Sequence, residues 1–378
     1  MSAKLERRAG QQGWSFANDR VQAFLTRTGG HLAPVGFKFG RRTVQPFAIA
    51  PWTDEKLPGT PTMLRILRGD FFCCPFGGNA APFRGERHPP HGETANHAWT
   101  FRALEREGDT VRLHASMQLR ARRGRVDKRL ILRDGHAAVY CEHVLSGFRG
   151  PMPVGTHPML ALPDAPGAGY ISTSRFTRGQ VVPTAWEQPA AKGYSVLKTG
   201  ATFTSLKRVP ARDGGTVDLS RFPARRGYEE LVELVSDATL PFAWSAVALP
   251  AAGYVFFALK DPRVLRATVL WFSNGGRHYP PWNGRHVNVL GVEEVTAFFH
   301  LGLAESAQPN ALSRTGTPTA LRLRPDQPQR VAHILTLAAI PRDFDAVKTI
   351  VACRGGVTLT ARSGRRVFAP LDPDFVAG

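Results

Sequence analysis

A chain of 378 residues that is 43% hydrophobic is too apolar to be disordered and long enough to bury a large core. Its net charge of +19 raises a nucleic-acid reading. The basic residues, however, stand in small groups (Arg41-Arg42, the run 120–125, Arg225-Arg226, Arg365-Arg366), without the basic helix, zinc-finger spacing or RNP-type aromatics that would read nucleic acid.

In chain order, short alternating runs recur between turn signals. The segments 111–119, 128–134, 137–145, 201–209, 242–249, 254–260 and 266–273 all read as strands. The Asp134-Gly135 dipeptide between two β-prone runs predicts a hairpin, and the RARRGR run from Arg120 predicts a second turn with solvated charges. YEELVELV (228–235) fits a short helix or a strand. The runs 319–327 and 330–338 read as a strand pair, and RDFDAVKTIVA (342–352) as a helix. Scattered glycine (37) and proline (30) suit many turns. The sum is an all-β chain, a large antiparallel β-sandwich with few short helices. Its expected divisions are an N-terminal extension (1–30), the sandwich (31–340) and a C-terminal appendage (341–378) that could belong to the same domain.

The four cysteines, Cys73, Cys74, Cys141 and Cys353, form neither a disulfide framework nor a zinc knuckle. A reduced, cytoplasmic protein is expected, since the charged start lacks the apolar core of a secretory signal. No apolar run approaches the about eighteen residues of a membrane span.

Three polar groups stand out. RGDFFCCPFGGN (68–79) leads into HPPHGETANHAW (88–99), which the prolines and glycine keep out of regular helix and central strand. GTHPML (155–160) places His157 between small residues and a proline. The run 288–313 carries Glu293 and Glu294 inside an apolar, strand-like stretch. In period-two order these two glutamates point to opposite faces of a strand. A carboxylate on a partly buried sheet face has a raised pKa and can serve as a base near neutrality, with histidine as the matching acid. A metal reading of His88, His91, Glu93 and His97 is weaker, because the spacing matches neither H-x-H nor the i, i+4 of helical zinc sites.

The order of these blocks resembles the aldose 1-epimerase (galactose mutarotase-like) superfamily. Cys74 to Gly78 followed by His91-Gly92 and Trp99 resembles its first histidine block; Thr156 to Pro158 resembles its second; Gly291 to Glu293 resembles the strand bearing its catalytic glutamate. The resemblance covers roughly residues 30 to 340. It implies a galactose mutarotase-like supersandwich whose concave face holds a sugar, and a cofactor-free, metal-free proton relay. Glu293 would take the anomeric proton, His157 would protonate the ring oxygen, and His91 would hydrogen-bond the sugar. Arg68, Asn79, Trp99, Asp261, Trp282 and Arg285 are the candidate sugar contacts. Ala95 stands where phosphate-binding members carry an arginine, and Arg68, Arg84, Arg277 and Arg285 are the candidates to replace it. The expected partner is a small sugar, with no specific nucleic acid and no membrane. The alternatives are a non-catalytic carbohydrate-binding or regulatory protein on the same fold, or a metal-dependent sugar-modifying enzyme.

Overall fold

The structure, a computed structural model, describes residues 4–377. Two large antiparallel sheets face each other. One has nine strands, in the order Arg221–Phe222, Gly169–Thr173, Ala243–Leu249, Tyr254–Lys260, Gln329–Ala339, Ala138–Ser146, Gly124–Arg133, Thr110–Leu119 and Thr100–Glu107. The other has eight, and its central strands are Phe176–Val181, Tyr228–Ser236, Ala267–Asn274 and Val289–Thr296, followed by the short pieces Val154–Thr156 and Phe72–Cys73. The facing surfaces are valine, leucine and phenylalanine, whose β-branched and aromatic bulk suits a pleated, buried surface. Helices are confined to single turns such as Thr62–Arg65 and Leu303–Ala307.

The hairpin at Asp134-Gly135 forms as expected, between Gly124–Arg133 and Ala138–Ser146, with Gly135 at φ +82°. The turn at 120–123 also forms, but Arg122 is not solvated. It is buried and its guanidinium pairs with Glu86. YEELVELV is strand throughout, within Tyr228–Ser236, and its three glutamates are buried rather than on a wet helical face.

Four expectations are corrected. The stretch 342–352 is not a helix but contains the strand Val347–Cys353. A bulge between Val347 and Thr349 resets the alternation, so Val347 and Ile350, three apart, both face inward and imitate a helical period. Leu321–Leu323 does not pair with Gln329–Ala339; it pairs with Gly150–Met152, while the long strand lies between Ala138–Ser146 and Tyr254–Lys260. Of 201–209, the eight-stranded sheet takes only Thr202–Phe203. The first thirty residues are no separate extension: strands from Glu6 to Thr26 share one five-stranded sheet with Leu32–Phe39 and Arg42–Val44.

The last segment forms a three-stranded sheet, Val347–Cys353, Gly356–Ala361 and Arg366–Pro370. Its inner side, Val347, Ile350, Val357 and Leu359, packs with Tyr140, Trp244, Ala246 and Phe257 on the outer face of the nine-stranded sheet. Among the described residues no helix is long and apolar enough to cross a membrane.

Candidate functional site

The strand Val289–Thr296 decides the layout. Every residue in it is buried, so alternation assigns its two glutamates to two different interiors. Glu294 points into the space between the sheets, where it pairs with the Lys260 ammonium from the nine-stranded sheet and accepts from Thr268 Oγ1 at 2.7 Å. Glu293 points the other way, into a cavity of about 200 Å³ on the outer face of the eight-stranded sheet. Gly291, two residues before it, lies beneath: a Cβ there would come within 2.7 Å of Glu293 Oε1 and against Trp271.

Around Glu293 three more connections converge. His157 follows the Val154–Thr156 strand and brings Nε2 to 3.4 Å from Glu293 Oε1; its backbone N–H donates to Asp70 Oδ1 at 2.9 Å. His91 stands perpendicular to His157, with ring centroids 4.9 Å apart. It adopts a left-handed backbone, φ +58°, a conformation that costs a non-glycine residue about 1 kcal/mol or more and is a frequent mark of functional positions. Gly92 follows at φ +77°, where a Cβ would come within 2.1 Å of the Cys74 carbonyl oxygen. The cavity is otherwise walled by Trp186, Trp271, Trp282, Arg277 and His300, and closed on one side by Met63 and Leu64 of the single helical turn.

Arg277 is the one arginine in this wall. Its Nε donates to Glu187 at 2.7 Å, Glu229 lies 3.9 Å away, and its guanidinium carbon sits 5.1, 5.2 and 4.4 Å from the Trp186, Trp271 and Trp282 ring centroids. Arginine over desolvated indole is a favourable contact that also fixes the ring planes. Glu229 in turn accepts from Trp271 Nε1 at 2.8 Å and Ser273 Oγ at 2.9 Å, which ties the cavity wall to the sheet beneath.

Burial sets the protonation of the floor. It pushes the Glu293 carboxyl well above the usual range, with Arg277 opposing weakly, and holds His157 well below it, with the neighbouring His91 adding to the effect. Burial lowers His91 to about 4. Burial thus favours the uncharged form of each group, and their 3.4 Å approach gives a proton a path between them.

Not all expected residues reach this cavity. His91, His157, Glu293 and Trp282 line it. Arg68 does not: it is fully buried, donating to the Ile66 and Ala9 carbonyls. Asn79 donates to the Gly77 carbonyl and accepts from Leu303 N–H, holding a loop. Trp99 is core, with Nε1 donating to the Thr94 carbonyl. Asp261 caps the turn of Arg263, and Arg285 pairs with Glu55 on an exposed edge. The lining residues not foreseen as contacts include Trp186 and His300, each from a loop, and Trp271; Arg277 was named without being placed.

The four-residue metal reading fails on geometry. His88 pairs with Glu86, Glu93 accepts the Arg120 and Ala121 N–H groups at 2.9 and 3.0 Å, His97 stays on the surface, and only His91 enters the cavity. Among the described residues one other group has metal-ligand types together: Asp70, Cys141 and His333, buried between the sheets with atoms within 4.8 Å. Asp70 already has cationic company there: His333 Nε2 lies 3.6 Å from its Oδ2, and the buried Lys128 ammonium interacts with it as well. A cleft of about 870 Å³ between 82–84 and 306–322 is larger than the cavity, but its lining has arginines and hydroxyls and no carboxylate to pair as acid or base.

The buried titratable groups make stability peak on the acid side of neutrality. Burial lowers His31, His286 and His300 to about 3. The unfolded chain binds these protons below about pH 6.5 and the folded chain does not, so their stability is present above that pH and lost as pH falls. Burial raises Glu229 and Glu230 to about 7 and Glu233 to about 8. These keep protons that the unfolded chain releases above about pH 4.5, so stability declines as pH rises toward 8. Each excluded or retained proton contributes a limiting slope of about 1.4 kcal/mol per pH unit. Urea midpoints measured from pH 4 to 9 are expected to peak near about pH 6; midpoints that keep rising from pH 7 to 9 would refute the buried-carboxyl account.

No protein-family model and no curated protein sequence matches the chain. Solved structures do. A galactose mutarotase-like protein from Clostridium acetobutylicum superposes with a TM-score of 0.60 at 13% identity, covering 90% of this chain and 99% of its own. A "putative aldose 1-epimerase" from Escherichia coli K12 gives 0.56 at 12% identity, covering 87% and 99%. A galactose mutarotase related enzyme from Lactobacillus acidophilus gives 0.54 at 10%, covering 87% and 98%. At such identities the likeness is one of architecture, and on that footing the chain shares the large antiparallel β-sandwich fold of these galactose mutarotase-like structures.

Proposed function

We propose that the protein is an aldose 1-epimerase-like mutarotase that interconverts the anomers of a hexose or related sugar. The observation that carries this is the approach of Glu293 and His157 to 3.4 Å on the floor of a cavity that His91, three tryptophans and Arg277 enclose. A cavity of about 200 Å³ is small beside the usual 300–1,000 Å³ of ligand pockets, which suits one sugar ring. Indole faces offer the apolar side of a pyranose a surface, and the guanidinium and imidazoles offer its hydroxyls donors.

The reaction needs one base and one acid on opposite sides of the hemiacetal. Glu293 first passes its proton across the 3.4 Å contact to His157; the carboxylate then removes the hydrogen of the anomeric hydroxyl while His157 protonates the ring oxygen. The C1–O5 bond breaks and O1 becomes the aldehyde oxygen. Rotation about C1–C2 presents the other face, and the two proton transfers run backward as the ring closes. No net proton is consumed. His91 and Arg277 hold the sugar hydroxyls and fix the ring against the acid–base pair. Arg277 is already matched by Glu187 and Glu229, which disfavours a doubly charged phosphate beside it and favours an unphosphorylated sugar.

The test is saturation-exchange proton NMR of glucose, galactose and their 6-phosphates with the wild type and Glu293→Gln. Faster exchange of a free sugar with the wild type alone supports the relay. If no sugar exchanges above its spontaneous rate yet one binds by calorimetry, the chain is a carbohydrate-binding protein on this fold.

A further inference from the structure

Cys73 does not line the cavity, yet its thiol reaches Nδ1 of His91. The strand Phe72–Cys73 at the edge of the eight-stranded sheet carries it, fully buried, with Sγ 3.3 Å from His91 Nδ1. We propose that Cys73 is a positioning residue that fixes the tautomer of His91, so that Nε2 always presents a hydrogen to the bound sugar.

A thiol has one proton to give. The alternative acceptor, the Phe71 carbonyl oxygen, lies 3.9 Å away, and an imidazole nitrogen is the stronger base. Burial, with Glu293 and Asp70 nearby, holds the Cys73 thiol well above its ordinary pKa, so it stays S–H and cannot act as a thiolate acceptor. Burial also keeps His91 neutral down to about pH 4. A neutral imidazole whose Nδ1 accepts carries its hydrogen on Nε2. Among the described residues Nε2 has no protein partner, and the residue faces the cavity.

The ring cannot escape this choice by turning. Phe71 and Phe76 meet it edge-on with centroids 5.8 and 5.1 Å away, His157 stands across it, and its backbone N–H is fixed on the Gly77 carbonyl at 2.7 Å. Orientation comes from the aromatic rings and the loop; the position of the hydrogen comes from the thiol. The consequence is a division of labour on the floor: His91 is a donor only, while the mobile proton belongs to Glu293 and His157. A histidine with the opposite tautomer would offer the sugar a lone pair and compete with Glu293 for the anomeric hydrogen.

The direct test is long-range proton–nitrogen NMR of protein labelled with ¹⁵N-histidine, compared for the wild type, Cys73→Ser and Cys73→Ala. The expected wild-type pattern is a pyridine-like Nδ1 and a pyrrole-like Nε2 at His91, unchanged from pH 5.5 to 8. Cys73→Ser keeps a donor and the pattern; Cys73→Ala gives a mixed or reversed tautomer. A wild-type His91 with its hydrogen on Nδ1, or a Cys73→Ala variant that keeps the single Nε2–H form, overturns the proposal. Its catalytic part rests on the mutarotase reading. There, Cys73→Ala is expected to lose about tenfold in kcat/KM, the size of one hydrogen bond, with Cys73→Ser restoring most of it. Equal activity of all three proteins overturns that part. Absence of sugar exchange in the wild type counts against the mutarotase reading alone, since the tautomer is read without substrate.

Discussion

Replacing Glu294 with alanine is expected to destabilise the fold by about 3–5 kcal/mol, a large part of the roughly 5–15 kcal/mol that holds most domains together. The reason lies between the sheets. Glu294 and Lys260 are both fully buried, and Lys260 also donates to Thr268 Oγ1 at 3.0 Å. Burial lowers the Lys260 pKa, and Glu294 is the partner that most opposes this. Removing the carboxylate leaves the ammonium in a dry interior with the Thr268 hydroxyl, the Ala267 carbonyl and the Glu233 carboxyl, whose pKa burial raises to about 8. The ammonium must shed its proton or draw in water, and either is costly. The double variant Lys260→Met with Glu294→Leu removes both charges with similar volume and is expected to recover most of the loss. A thermodynamic cycle by urea unfolding checks this. A Glu294→Ala variant within about 1 kcal/mol of wild type would show that the pair is wet and worth no more than a surface ion pair.

On the other face of the same strand the expected loss is in rate. Glu293→Gln keeps the shape of the side chain and removes its ability to exchange a proton, and should lower the rate of anomer exchange by about 10²–10⁴-fold. His157→Asn should fall in the same range. Because each group works only with the proton the other holds, the double variant should lose little more than the worse single one. Binding of the sugar should change much less, since the indoles and Arg277 remain. A double variant whose losses multiply would mean that the two residues act in separate steps. A Glu293→Gln variant that retains full exchange would move the base elsewhere.

Much of the architecture was legible in the residues. Runs of β-branched and aromatic residues between turn signals located most of the long strands, and alternation placed Glu293 and Glu294 on opposite faces; His91 and His157 were singled out by the resemblance, since loop and strand-end positions carry no period. The failures have physical causes. A bulge gave Val347 and Ile350 a helical spacing. Three glutamates in Tyr228–Ser236 look like a wet face until each is seen to be buried; Glu230, for instance, accepts Val196 N–H at 2.8 Å. Arg68, Asn79 and Trp99 sit close to the polar blocks in sequence, but their polar atoms serve the backbone, and nothing in their spacing separates that from contact with a ligand. Trp186 and His300 stand alone on loops with no period. For Arg277 there was a signal: the stretch 271–286 gathers two tryptophans, two arginines and two histidines immediately after a strand, a density that core packing does not call for.

The acid–base pair and the wall of the cavity are built from different kinds of chain. Glu293 sits in a strand buried on both sides and clamped by Glu294; Trp186, Arg277, Trp282 and His300 hang on connections between strands. On the mutarotase reading, selectivity and chemistry can therefore change independently. A graft of residues 275–288 from a structural neighbour would exchange the Arg277 and Trp282 part of the wall while the floor keeps its register. A lineage built this way can wander across substrates without reinventing its proton transfer.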